Sequence, residues 1–407
     1  MLADRVVVLG GGFAGLETAF QLRAMVKPTR LHLTVVADRD HFLYRPGLAG
    51  LPFGAAEAPL HVPLSAALGR WGITWRLAAV ESLDTALQVV RTNRTQPIHY
   101  DHLVIATGAR VHPQRVPGLA EHAVQISTAG QLHQLGERFQ WVAHNAGHGR
   151  PQQVLFVVAP DTVWPGPAYE IALTLDTWLR RRQVRHQVRI TFVTSERAYG
   201  EQLGPGLHRV LAGEFATRGI TGDTRLAVTE IGEAHTCFDD GSKLEHDLVV
   251  AMPPHAAAMW HDGLPADNRG FLTCRPEDRS VTGLDGVYAP GDAGDFPVKQ
   301  SFLAMTQGWA VATAIAARVE GRPAAPRFEP TAFCVLDTVD KGILVEAPLT
   351  AEGLVRVDHD RVLTGAAWHA AKHALARYVP MRYRRGRPAL PRTGHGLLTA
   401  ARRLLER

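Results

Sequence analysis

A short apolar run, three spaced glycines and an immediate helical pattern constrain this chain more than any other feature. The stretch is VVVLGGGFAGLETAFQL, residues 6–22. Val6, Val7, Val8 and Leu9 are apolar without alternation, the pattern of a strand buried on both faces. Gly10, Gly12 and Gly15 follow at G-x-G-x-x-G spacing, with Phe13 and Ala14 between them. In such a unit the first glycine permits a tight turn and the second lets backbone approach a pyrophosphate. The third lets helix and strand pack closely. The helix N-terminus offers free N–H groups and partial positive charge to the phosphates. The unit predicts an α/β fold that binds a dinucleotide. Residues 31–36 read as the next strand, and Asp38 just past it is placed to accept hydrogen bonds from an adenosine ribose. Asp40 competes for that role.

At 407 residues the chain is too long for one simple core, and two or three domains are expected. Hydrophobic content of 46% with 20% charged residues fits an ordinary soluble protein. No run of about 18 apolar residues predicts a bilayer-crossing helix. The opening MLADR leads straight into the first strand, which predicts no secretory signal. Three cysteines, Cys237, Cys274 and Cys334, exclude a disulfide framework and a closed zinc site of thiolates alone. Net charge is +5 but unevenly placed. From Arg361 onward there are eleven basic residues and one acid, Glu406, so that tail carries +10 and the remainder −5.

Further along, VESLDTALQVVRTN begins a β-meander whose turns use Asp84 and Asn93. Residues 103–106 form a buried strand ending in Thr107-Gly108, which exposes backbone where a flavin could approach, or is a plain strand-to-turn junction. A second α/β region follows, with strands at 154–160, 189–196 and 244–254 and helices at 169–184 and 208–220. Where its glycine fingerprint belongs, the chain reads APDTVWPGPAYE. Pro160, Trp164, Pro165 and Pro167 would obstruct a pyrophosphate and remove N–H donors, so poor nicotinamide binding is expected. Residues 286–321 return with a strand at 287–289, a Gly291-Asp292 turn and a long helix at 302–319. Asp292 is placed to accept a hydrogen bond from a ribityl hydroxyl, with the helix N-terminus aimed at a ring carbonyl; a bare Gly-Asp turn is the alternative.

Together GGGFAG, YDHLVIATGAR, WPGPAYE, APGDAGDFPVKQS, FCVLDTVDKG and WHAAKHALARY resemble the two-dinucleotide-fold flavoprotein reductases over roughly residues 1–385. Within them the chain is most similar to the sulfide:quinone oxidoreductases, with flavocytochrome c sulfide dehydrogenase and type II NADH dehydrogenase as cousins. The resemblance implies two Rossmann-like domains. A discontinuous FAD domain would comprise residues 1–118 and 266–321, a second domain would be inserted at 119–265, and residues 322–407 would face quinone and membrane. FAD would contact Gly10, Gly12, Phe13, Ala14, Gly15, Asp38, Arg45, Thr107, Gly108, Gly291, Asp292 and Lys299. In that family a cysteine pair takes up sulfide and passes electrons through FAD to a quinone.

Cys334 matches one active-site cysteine. The partner position before GPAYE holds Trp164, and the earlier position that some members use falls near Ser127. Loop 42–50, FLYRPGLAG, has no cysteine to attach flavin covalently, and Cys237 and Cys274 align with neither active-site position. Glu170 corresponds to a proton-shuttling acid, or else complements a helix dipole. Lys299 falls where a basic residue stands beside flavin and quinone, or else is a solvated loop lysine.

The tail from Ala366 can form one or two amphipathic helices mixing Trp368, Leu375, Tyr378, Met381 and Tyr383 with Lys372, Arg377, Arg382, Arg384, Arg385 and Arg387. That mixture suits an anionic membrane surface, and no nucleic-acid-binding signature accompanies it. The expectation is therefore an FAD-dependent, peripheral membrane oxidoreductase on the cytoplasmic face. It would take electrons from sulfide or a related small sulfur donor to a quinone, with homo-oligomerisation left open. A type II NADH:quinone reductase and a flavin-binding subunit or sensor without sulfide turnover are the alternatives.

Overall fold

The computed structural model describes residues 3–323 and 328–390. Two parallel sheets dominate it. The first is built from β1 (Asp4–Leu9), β2 (Leu31–Ala37), β3 (Thr74–Leu77) and β4 (His102–Ile105), with α1 (Phe13–Met25) crossing from β1 to β2. β1 pairs in parallel with both β2 and β4, so it lies in the sheet interior with Val6, Val8 and Leu9 fully buried. That position explains its unbroken apolar run.

The chain then leaves this sheet to build the second one. β5 (Ala123–Gln125), α2 (Ala129–Gly147), β6 (Gln152–Val158), α3 (Gly166–Arg181), β7 (Val188–Thr194), α4 (Pro205–Arg218), β8 (Ile220–Asp223) and β9 (Leu248–Met252) follow in order. The five strands lie in the order β5-β9-β6-β7-β8, all parallel. β10 (Val287–Tyr288) returns to the first sheet beside β4, and α5 (Ser301–Glu320) follows it. The first sheet is thus discontinuous in sequence, with the second inserted into it. Residues 80–99 form the expected antiparallel meander: Asp84 accepts from the Leu87 N–H at 2.9 Å and Asn93 from the Ala79 N–H at 3.0 Å.

α1 and α5 pack closely because small residues face each other. A side chain at Gly308 would come within 2.6 Å of the Ala14 carbonyl, and the Thr18 hydroxyl donates to the Gly308 carbonyl at 3.2 Å. This contact holds the starts of both helices toward one cleft.

The remaining described residues form an antiparallel sheet, β11 (Thr331–Asp337), β12 (Gly342–Pro348) and β13 (Arg361–Gly365), followed by α6 (Ala366–Arg384). α6 corrects part of the reading of the tail. Tyr383 is fully buried, with its ring 5.0 Å from Phe42 and 5.8 Å from Phe20, and Trp368, Leu375 and Tyr378 pack against the same core. These side chains are spent on docking α6 to the protein. A second helix in the tail would fall at 391–407, outside the described residues.

Candidate active site

The three glycines of the first turn divide by what surrounds them. Gly10 has φ +114°, and a Cβ there would stand 2.2 Å from the Ala106 carbonyl oxygen; one at Gly15 would stand 2.1 Å from that of Gly10. A Cβ at Gly12 would meet no protein atom within 4 Å. Packing therefore requires the first and third glycines, while the second opens onto space that a phosphate can enter. No side chain caps Gly12, so the first N–H groups of α1 are left for an anion. Phe13 stacks edge-on against Phe42 at 4.9 Å, and Ala14 is buried with its Cβ facing Gly291. Their side chains shape the cradle from behind.

Asp38 is exposed past the end of β2, whereas Asp40 pairs with His41 Nδ1 at 2.8 Å. Asp38 leaves its carboxylate open to solvent. Thr107 and Gly108 follow β4, and Gly108 has φ +79° with open space where a Cβ would point.

Arg45, Asp292 and Lys299 come together although far apart in sequence. Arg45 is exposed to solvent overall, yet the protein crowded around it lowers its pKa, with the nearby Arg39 charge adding to this and Asp292 opposing it. Arg45 Nη1 also reaches the Ser127 carbonyl at 3.5 Å. Burial raises the Asp292 pKa, opposed by the charges of Lys299 and Arg45. Lys299 is 4% exposed, which excludes the solvated-loop alternative. Its Nζ donates to the Gly294 carbonyl and lies 4.1 Å from the Phe271 ring centroid. Burial brings its pKa down to about 8.

Next to it, Gln300 accepts from the Leu303 N–H at 3.2 Å, capping α5, and its amide donates to the Phe333 carbonyl. That bond fastens the start of α5 to β11 one residue before Cys334. Burial pushes the Cys334 thiol up to about 12, with Lys372 opposing and Glu170 reinforcing the shift. Glu170, just past the first turn of α3, is 8% exposed and paired with Lys372 of α6. Burial raises its pKa while Lys372 lowers it, and its charge also raises the buried Tyr44 hydroxyl. A buried acid with a lysine partner is more than a complement to the helix dipole. Lys372, 202 residues from Glu170, was counted in sequence among the membrane-facing basic residues; the ion pair overturns that assignment. Gln300 also escaped sequence reading, since a glutamine in VKQS carries no signal of its contact.

The other thiols are placed differently. Cys274 is buried, donates to the Leu272 carbonyl at 3.2 Å and is pushed up to about 11 by burial, within the field of Lys299. Cys237 lies on a strand of an antiparallel hairpin, His235–Phe238. At the start of α3 the Trp164 indole is packed so closely on Gly166 that a Cβ there would meet it at 2.8 Å. Pro165 and Pro167 flank it, so the position homologous to a second fingerprint is roofed by an aromatic ring and poor in donors.

The donor set fits FAD: an uncapped helix N-terminus behind an open glycine, a free carboxylate after β2, a partly buried carboxylate at Gly291-Asp292, and a buried cation beside it. Residues 4–150 match the family model for pyridine nucleotide-disulphide oxidoreductases. A sulfide-quinone reductase of Aquifex aeolicus is 28% identical over 95% of this chain and 92% of its own. An NADH dehydrogenase-like protein of Mycobacterium tuberculosis is 25% identical over 71% of this chain and 72% of its own. The crystal structure of the sulfide:quinone oxidoreductase from Aquifex aeolicus superposes with a TM-score of 0.87 at 24% identity, covering 97% of this chain and 95% of that one. The chain is an FAD-dependent oxidoreductase whose residues 4–150 match the pyridine nucleotide-disulphide oxidoreductase family and which is similar over most of its length to a sulfide-quinone reductase.

Proposed function

We propose that this protein oxidises sulfide, or a related small sulfur donor, and delivers the two electrons to a quinone. The observation that carries the reading is Cys334, held beside the Glu170–Lys372 pair and tied through Gln300 to the start of α5. The names of similar proteins support it: sulfide-quinone reductase in Aquifex aeolicus, and a demethylphylloquinone reductase of Synechocystis at 29% identity over 33% of this chain.

Bound FAD supplies a two-electron acceptor that can be reoxidised by quinone. The open Gly12 turn and the α1 N-terminus would hold its diphosphate, Asp38 the adenosine ribose and Asp292 the ribityl chain. Lys299, charged below about pH 8, would stabilise negative charge arriving at the ring system. The pKa of the Cys334 thiol is raised, so bonding it to sulfur calls for a base to take its proton. Glu170 is the acceptor at hand, and Lys372 offsets the charge that moves. With Trp164 and Ser127 where the family carries further cysteines, Cys334 would hold the sulfur alone: joining sulfide to its thiol as a persulfide releases two electrons, which FAD would accept, and two protons, one of which Glu170 is placed to take. A soluble nucleophile then takes the sulfur from it.

Peripheral docking to a membrane fits this acceptor. Arg70, Trp71, Arg385 and Arg387 line a crevice of about 450 Å³, with Trp71 39% exposed. Arginine beside an amphipathic ring suits a headgroup layer. Among the described residues, no helix is long and apolar enough to cross a membrane. The loss of cysteine at Trp164 favours one other reading, a flavin-binding subunit without sulfide turnover.

Anaerobic stopped-flow spectra with sulfide and NADH separately distinguish these. Sulfide is expected to bleach the flavin and a soluble quinone to restore it, with Cys334→Ser retaining flavin but losing the sulfide response. Bleaching by NADH alone, or by neither donor, would overturn the proposal.

A further inference from the structure

Away from the flavin contacts, the described residues hold one group of three side chains able to share a metal ion: Asp337, His369 and His373. Asp337 closes β11, and the two histidines stand one helical turn apart on α6. Residues at i and i+4 share a helix face, so both rings meet the same strand end. His369 Nδ1 lies 2.8 Å from Asp337 Oδ1, and His373 Nε2 lies 3.4 Å from Oδ2. All three donor atoms fall within 4.8 Å of one another. The rings meet edge to face with centroids 4.6 Å apart.

We propose that these three residues bind a divalent transition-metal ion of the zinc class, pinning α6 to β11. Two imidazoles and a carboxylate suit such an ion, whereas calcium and magnesium call for all-oxygen shells. Three protein ligands leave a fourth tetrahedral position for water. The Val339 N–H donates to Asp337 Oδ1 at 2.8 Å, holding the carboxylate in orientation as outer-shell partners do. Lys372, on the same helix, is engaged by Glu170, so its charge is already neutralised. His373 is 60% exposed, which gives an ion a path of entry. The site would brace the strand that carries Cys334 against the helix that carries Lys372. It stands independently of the sulfide reading.

Glu57 provides an internal control. It too meets two histidines, His61 Nε2 at 2.9 Å and His133 Nε2 at 2.8 Å, but these donors do not converge as the Asp337 group does. The experiment is calorimetric titration of untagged holoprotein with Zn²⁺ alone, with thermal melts in the presence and absence of Zn²⁺. Wild type is expected to take up one equivalent and to melt higher with Zn²⁺. His373→Ala, an exposed change to a strong helix former, is expected to retain flavin. It should weaken binding by more than about tenfold, the scale on which even outer-shell partners act, and lose the melting shift. His133→Ala is expected to bind like wild type. No stoichiometric uptake by wild type, or uptake by His373→Ala as tight as wild type, would overturn the site.

Discussion

Lys299 is where a single residue's environment makes the sharpest statement. Its amine, ordinarily titrating near 10.5, is brought to about 8 by burial despite Asp292 nearby. Between those values the folded chain binds fewer protons than the unfolded one, so this residue's contribution makes stability rise with pH across the window. Its charge runs the other way, being present below about pH 8 and lost above it. If that charge assists electron arrival, the rate of flavin reduction falls through an apparent pKa near 8. Lys299→Met would then show a lower rate without that alkaline limb. Rate measurements from pH 6.5 to 9.5 on both proteins check this. The Glu170–Lys372 pair gives a second residue-scale expectation. Lys372→Met leaves a buried carboxylate without its partner, at a cost of about 3–5 kcal/mol. Adding Glu170→Gln should restore much of the loss, measurable by urea unfolding of the single and double variants. Lys299 and Glu170 were legible in sequence as candidates because each sits in a motif. Lys372 was not, because its role depends on a helix folding back across about half the chain.

Among the elements, the first turn and its helix carry the cofactor argument. Gly15→Ala would drive a methyl group to 2.1 Å from the Gly10 carbonyl, so helix and strand must separate. Gly12→Ala meets no protein atom within 4 Å. The first variant should lower stability and the second should fold normally yet lose FAD. Circular dichroism melts and flavin content per chain distinguish the two. Secondary structure here follows from local pattern: the buried run at 6–9 is part of β1, and the helix expected at 302–319 is observed as Ser301–Glu320. The tail shows the limit of that approach. Its amphipathic pattern predicts a helix and an apolar face, but says nothing about whether that face meets lipid or protein. Here part of it meets Phe20 and Phe42.

For the whole molecule, the tail is tied to the first dinucleotide unit by Glu17. Its carboxylate is fully buried on α1 and accepts from the Ala389 N–H at 2.9 Å and the Leu390 N–H at 3.0 Å. Tyr383 Oη and Gln21 Nε2 each donate to it at 3.0 Å. Four donors converge on this carboxylate, which makes Glu17→Gln unfavourable, since one amide edge would bring its own N–H groups against them. A loss of about 1–3 kcal/mol is expected by urea unfolding. The C-terminal residues should also become more susceptible to limited proteolysis.

The sequence by itself determined the strand–turn–helix unit, a second α/β region, the FAD expectation and the proline-crowded second fingerprint. Each is written in local spacing, backbone freedom or the chemistry of adjacent residues. Only the tertiary structure decided which acid past β2 stays free and that Lys299 is buried. It alone set Cys334 beside a Glu170–Lys372 pair and Asp337 against two histidines of α6. Those facts depend on side chains brought together across tens to hundreds of residues. Burial and mutual charge, which fix their chemistry, arise only when the chain closes on itself.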